Sequence, residues 1–229
     1  MLRKIRKLWK FVGFISFWIF IQIGLLFSAN PGDIVITEFF YQSAGNIYDY
    51  IELYNTTDST IDLHLWEIEI DGEEFSIDDP LNIDSLDYVV LVSLTGAFQD
   101  SIGKTYGSEN DSTSFFNNCA NNCNFRRDDI YWLGFPGLSD ESGEIKLLDS
   151  DSNLIDEVIY SSADEFPVGD DIIGMAAEFI QNPLSDTSHV INDIGENWQF
   201  SQNPSEWLWN GSSNDYGSPL SAGLYSSGC

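Results

Sequence analysis

A chain of 229 residues, 43% apolar and 14% aromatic, is long enough to bury the core of one domain and too apolar to belong to the disordered class. Its formal charge of −28 is unevenly spread: Arg3, Lys4, Arg6, Lys7 and Lys10 all precede the first acid, Asp33, so beyond Asn30 four basic residues face all 37 acidic ones. Such a surface repels phosphate backbones and anionic lipid, which argues against a nucleic-acid partner and leaves basic proteins or divalent cations.

The first ten residues are basic, and Phe11–Phe27 is an apolar run interrupted only by Gly13, Ser16, Gln22 and Gly24. This is the pattern of an export signal, with residues 1–29 read as a signal peptide cut near Ala29 or as a retained N-terminal anchor helix. The acid-rich remainder is then expected outside the cytoplasm, secreted or at the cell surface, whichever holds.

From Ile34 onward, short runs of β-branched and aromatic residues alternate with Gly, Asn, Asp, Ser and Pro, which is strand-and-turn grammar. Strands are predicted at Ile34–Phe40, Tyr48–Tyr54, Ile61–Ile70, Glu74–Ile77, Tyr88–Val92, Ile130–Phe135, Glu144–Leu148, Leu154–Tyr160 and Ala176–Phe179. Strict alternation in the first puts Ile34, Ile36 and Glu38 on one face and Val35, Thr37 and Phe39 on the other. In Leu65–Ile70, alternation turns Trp66, Ile68 and Ile70 inward. No segment has capped helical periodicity, though Leu94–Ile102 and Asp170–Met175 can each hold a single turn. The fold class is therefore all-β, a sandwich or small barrel in which each sheet buries one face against another.

Gly103–Asp129, rich in Asn, Ser, Asp and Gly, reads as a long loop inserted in a domain spanning residues 30–220, and residues 221–229 as a flexible tail. The loop holds Cys119 and Cys123 in Cys-Ala-Asn-Asn-Cys. Outside the cytoplasm these two are expected to form a local disulfide rather than stay free or bind metal, since a zinc site needs four ligands and only Cys229, His64 and His189 remain.

Several motifs then line up. Asp33-Ile-Val-Ile-Thr-Glu-Phe-Phe-Tyr, Asp49-Tyr-Ile-Glu-Leu-Tyr-Asn-Thr-Thr-Asp and Ile61-Asp-Leu-His-Leu-Trp resemble the opening of lamin tail domains. Glu141-Ser-Gly-Glu-Ile-Lys-Leu-Leu-Asp and Asn153-Leu-Ile-Asp-Glu-Val-Ile-Tyr look like the family's paired strands. Asn197-Trp-Gln with Tyr216-Gly-Ser-Pro resembles its closing segment. The similarity runs from Gly32 to Leu220. It departs from the family at His64-Leu65, where Ser-Gly is usual before the Trp, and at Leu220, where Gly follows Ser-Pro. The resemblance implies an immunoglobulin-like β-sandwich of the kind found in nuclear lamins and in exported bacterial proteins, where it accompanies hydrolases or surface modules. It implies no active site, so function has to be argued from residues.

Asp149, Asp151, Asn153 and Asp156 form an oxygen-rich series suited to calcium, but the sixth and twelfth positions of a helical calcium loop are Leu154 and Tyr160 rather than Gly and Glu. A polar hairpin turn explains the same residues. Asp78-Asp79, Asp128-Asp129 and Asp170-Asp171 are acid pairs with nothing to fix the separation that glycoside hydrolysis requires. His64, read as lying in a strand, and His189 stand without a nucleophile motif. Glu52 shares a strand face with Tyr50 and Tyr54 and is either solvated there or buried and hydrogen-bonded. Trp66 is expected between the sheets. Trp207 and Trp209, at strand spacing, put two indoles on one face, for core packing or for stacking on a sugar ring or protein partner. Together these point to a non-catalytic surface or secreted module binding a protein or glycan, with calcium as a conceivable stabiliser. A carbohydrate-binding or enzyme-associated accessory domain is the alternative, and a hydrolase the third reading.

Overall fold

The computed structural model describes residues 29–42, 49–93, 98–99, 105–106, 130–169, 173–202, 204–209 and 214–219. The strands are β1 (Ile34–Phe40), β2 (Tyr50–Asn55), β3 (Ile61–Asp62), β4 (Glu67–Ile70), β5 (Glu73–Ser76), β6 (Asn82–Ile83), β7 (Tyr88–Val92) and β8 (Phe98–Gln99). They continue with β9 (Thr105–Tyr106), β10 (Ile130–Trp132), β11 (Ser142–Leu148), β12 (Leu154–Ser161), β13 (Ala177–Phe179), β14 (Trp198–Phe200), β15 (Pro204–Trp209) and β16 (Asn214–Tyr216).

Two sheets make the sandwich. A six-stranded sheet runs β10-β7-β2-β1-β13-β14, and a four-stranded one runs β12-β11-β4-β5. Every pairing in them is antiparallel except β10 with β7. The core lies between the sheets: Ile34, Ile36, Phe39, Ile51, Leu53, Val89 and Leu91 of the larger meet Ile68, Ile70, Ile145, Leu147, Val158 and Tyr160 of the smaller. Phe39 is central, its ring 4.7 Å from that of Tyr160 and 5.2 Å from that of Trp198. Trp66 is buried in this layer, and Trp66, Ile68 and Ile70 point inward as alternation requires. The immunoglobulin-like sandwich expected from the sequence is the fold observed.

Strict alternation fails in β1. Ile36 pairs with Leu53 and Glu38 with Glu52, so two steps on β1 match one on β2 and Thr37 is the extra residue of a bulge. Parity flips there. Phe39 and Tyr41 join Ile34 and Ile36 in the core, while Glu38 and Phe40 pass to the outer face with Tyr50, Glu52 and Tyr54.

The predicted strand Ile61–Ile70 is two strands, because Leu65 takes a left-handed conformation (φ 65°) in the turn between β3 and β4. His64 lies in this turn rather than in a strand, its N–H donated to Asp62 Oδ1 at 2.9 Å. The family's usual Gly at position 65 follows directly, since Gly adopts that φ without the Cβ clash. Asp71 and Gly72, both with positive φ, join β4 to β5 as a two-residue hairpin turn.

The single helical turns expected at Leu94–Ile102 and Asp170–Met175 do not form where described: Phe98–Gln99 is strand, and residues 173–175 are not helical. One-turn helices fall instead at Ser162–Asp164, at α1 (Ser188–Ile191) and at Gly195–Asn197. Residues 1–28 and most of 103–129, including Cys119 and Cys123, lie outside the described residues, as does Cys229. No helix among the described residues is long and apolar enough to cross a membrane.

Leu65 is more than half exposed, so its side chain contributes little to offset backbone strain. Leu65→Gly is expected to raise stability by about 0.5–1 kcal/mol and Leu65→Val to lower it by about 1 kcal/mol, measured by urea unfolding.

Candidate functional site

The outer face of the six-stranded sheet is also buried, and a row of carboxylates crosses it. Register places Val90, Glu52, Glu38, Glu178 and Gln199 side by side on β7, β2, β1, β13 and β14. Glu38 and Glu52 are 1% exposed and Glu178 is 2% exposed. Adjacent strands lie about 4.8 Å apart, a separation at which like charges directly opposite one another repel.

Neutral donors hold the row. Thr37, displaced by the bulge, donates Oγ1–H to Glu52 Oε1 at 2.7 Å. Tyr50 OH donates to Glu38 Oε1. Ser218 N–H donates to both oxygens of Glu38, at 3.0 and 3.1 Å. Ser218 Oγ stands 2.5 Å from Glu38 Oε2 and 2.5 Å from Glu178 Oε1. A hydroxyl has one proton, so between two carboxyl oxygens it donates to one and accepts from the other. One of the two glutamates must therefore carry a proton. Burial first, and Glu178 second, push Glu38 up to about 7, against the hydrogen bonds from Ser218 and Tyr50. Burial and Glu38 hold the Tyr50 phenol well above its usual range. Ser201 Oγ at 3.2 Å and Gln199 Nε2 at 3.4 Å complete the shell of Glu178.

The row fastens distant chain segments together. Ser218 reaches it because Ala176 N–H donates to the Tyr216 carbonyl at 2.8 Å and Tyr216 N–H to the Gly174 carbonyl at 2.7 Å. Glu52 is thus buried and hydrogen-bonded, not solvated. Ser218, in the closing Tyr216-Gly-Ser-Pro, has a role that sequence reasoning missed, since its partners lie 180 and 40 positions away. Glu38 was missed because the bulge reverses its face.

Away from the row, the half-buried Asp49 accepts the Leu138 N–H at 2.7 Å. Burial chiefly, with Asp140 beside it, pushes Asp49 up to about 7.

The calcium series does not converge. Asp149 is buried and accepts from Asp151 N–H (2.9 Å), Asn153 N–H (2.8 Å) and, on both oxygens, Asn153 Nδ2 (3.1 and 3.0 Å). That is the hairpin-turn role, with Ser152 in the left-handed region at φ 61°. Asp151 and Asn153 are exposed, and Asp156 turns inward to accept the Ile36 N–H at 2.6 Å. Among the described residues no group of three or more His, Cys, Asp or Glu is arranged to hold a metal ion. Asp78 and Asp79 are exposed, with the Asp79 N–H on the Tyr131 hydroxyl at 3.2 Å, whereas the pairs at 128–129 and 170–171 lie outside the described residues. His189 lies in α1 with its ring against Gly32. Trp207 and Trp209 take alternate positions of β15, which pairs with β16.

A folded-state value of about 7 for Glu38 means that the native protein keeps a proton that the unfolded chain releases near 4.5. This contribution is fully present below about 4.5 and is lost as pH rises through about 7, on the order of 3 kcal/mol at most. The melting temperature is expected to fall between about pH 5 and about pH 8, and Glu38→Gln is expected to reduce that fall by several degrees.

Comparison with known proteins places this geometry in a family. A family model described as the lamin tail domain matches residues 28–162, more than half of the chain. The match covers β1 to β12, while β13 and β14 extend the same large sheet beyond it. A search of curated proteins finds no match. With this match over more than half of its length, the chain belongs to the lamin tail domain family.

Proposed function

We propose that this protein is an exported, non-catalytic lamin tail domain acting as a binding or scaffolding module, secreted or held at the cell surface. The observation that carries the reading is the fate of its best-placed acids: Glu38, Glu52 and Glu178 are sealed inside the fold and bonded to its own hydroxyl and N–H groups. General acid–base work needs a carboxyl within hydrogen-bond reach of a substrate, and these three are enclosed. What remains for a partner is a rigid sandwich with an acidic exterior, suited to a basic protein surface. Export is supported by the basic first ten residues and the apolar run Phe11–Phe27. Mass spectrometry of the exported protein is expected to find a mature N-terminus next to Ala29, and recovery of the intact chain in the membrane fraction would instead establish an anchor.

A glycan-binding accessory role is the second reading, favoured by Trp207 and Trp209 at alternate positions of a strand. A glycan-array signal lost in Trp207→Ala and Trp209→Ala would establish it. A silent array with salt-sensitive binding to a basic protein supports the first reading. A hydrolase would instead show turnover abolished by one carboxylate substitution.

Calcium stabilisation is tested by melting in calcium and in chelator. Both Asp149 oxygens already accept hydrogen bonds from within the turn, so no shift beyond about 1 °C is expected. A rise of several degrees in calcium would put a stabilising cation on the acidic exterior.

A further inference from the structure

Asp156 and Asn192 meet where β12 and the segment after α1 close over the first half of β1. The β1–β13 ladder is in register only at Glu38 and Phe39, and the Ile36 peptide lies beyond it. Its N–H is taken by Asp156 Oδ2 at 2.6 Å, and its carbonyl is approached by Asn192 Nδ2 at 3.5 Å. Asn192 Nδ2 also donates to Asp156 Oδ2 at 2.8 Å. Both side chains are buried, 2% and 0% exposed, and the two remaining oxygens, Asp156 Oδ1 and Asn192 Oδ1, have no donor. Two planar groups already joined by one N–H···O bond, each with an acceptor left over, lack one hydrogen. A proton on Asp156 Oδ1 directed at Asn192 Oδ1 would give both of these atoms a partner beside the existing Nδ2–H···Oδ2 bond. Leaving two buried acceptors unpaired would carry their full desolvation penalty.

We propose that Asp156 is held as a neutral carboxylic acid paired with the Asn192 side-chain amide, and that this acid–amide pair is a pH-dependent latch fixing the Ser188–Trp198 segment to the sandwich. The segment has a second tie at the same residue, since Trp198 Nε1–H donates to the Asn192 carbonyl at 2.6 Å and the indole lies in the core. The elements packed there carry Asp193, Glu196 and His189 on the helical segment, Glu157 on β12 and Asp33 before β1, and of these Asp193 acts on Asp156 through its charge. No cation compensates it: Lys146, the only Lys or Arg among the described residues, sits between Glu69 and Glu144 at 3.0 and 2.7 Å. Burial, reinforced by Asp193, holds the Asp156 carboxyl well above the usual range, against the hydrogen bonds from the Ile36 N–H, the Asn192 amide and the Glu157 N–H. The latch is therefore closed at low pH and released as pH rises through the folded-state value.

Asn at position 156 copies the neutral acid, its amide N–H replacing the acid O–H. In Asp156→Asn the melting temperature at about pH 8 should equal or exceed that of the natural protein, and the amides of Asn192 and Trp198 should lose their extra opening at high pH. Asn192→Asp, which places two acids together, should melt lower at about pH 8 and recover at about pH 5. Carbon-13 NMR of the unaltered protein gives an answer independent of the variants: the Asp156 carboxyl should remain protonated at a pH where an ordinary aspartic acid has ionised. Titration of that carboxyl near its ordinary value of about 4, or an Asp156→Asn protein that folds but melts several degrees lower at about pH 8, would overturn the proposal.

Discussion

Buried acid without buried base is the constraint that organises this molecule. Among the described residues the single Lys or Arg is Lys146, and it lies on the outside of the smaller sheet. Glu38, Glu52, Glu178, Asp149 and Asp156 are nonetheless almost wholly removed from water. A carboxylate so placed without a counter-charge must draw on hydrogen-bond donors or take up a proton, because desolvation penalises the charged form. Thr37, Tyr50, Ser201, Ser218, Asn153 and Asn192, with the backbone N–H groups of Ile36, Asp151, Asn153 and Ser218, are among those donors.

The same donors explain how distant parts of the chain are locked. Ser218 lies 180 positions from Glu38, and Asn192 lies 156 positions from Ile36, yet each completes a group that cannot stay unpaired. Beyond the apolar burial of Trp198, an unsatisfied carboxyl supplies these closing segments with a directional reason to dock. The Thr37 bulge makes this possible. By flipping the parity of β1 it sends Phe39 to the core and Glu38 to the face where Glu52 and Glu178 lie, so one inserted residue creates both the aromatic centre and the acid row.

For function, these acids read as internal fastenings rather than as a catalytic constellation. Carboxyls that hold protons near neutrality are what active sites also contain, and the distinction is access. Here the protons are shared with side chains of the same fold. An acidic exterior over such an interior leaves recognition to the surface and the loops, in keeping with a binding or scaffolding module.

Much was legible in the sequence by itself. Period-two runs and turn residues determined the all-β class and the positions of β1, β7, β11 and β12, because the pleat obliges side chains to alternate wherever one face is buried. The inward set Trp66, Ile68 and Ile70 followed from that rule, whereas Asp156, read as part of a calcium-type series, proved to be buried against β1. Only tertiary structure decided the rest. A bulge leaves no mark in composition, so the face of Glu38 could not be read. A left-handed Leu65 breaks a run that looks continuous, and β14 is too short to stand out before β13 gives it a partner. The acid row is closed by Ser218, 180 positions from Glu38, and the Asp156–Asn192 pair docks on Ile36, 120 and 156 positions away. Their meeting is fixed by sheet order and register, and pairing across such distances has no local sequence signature.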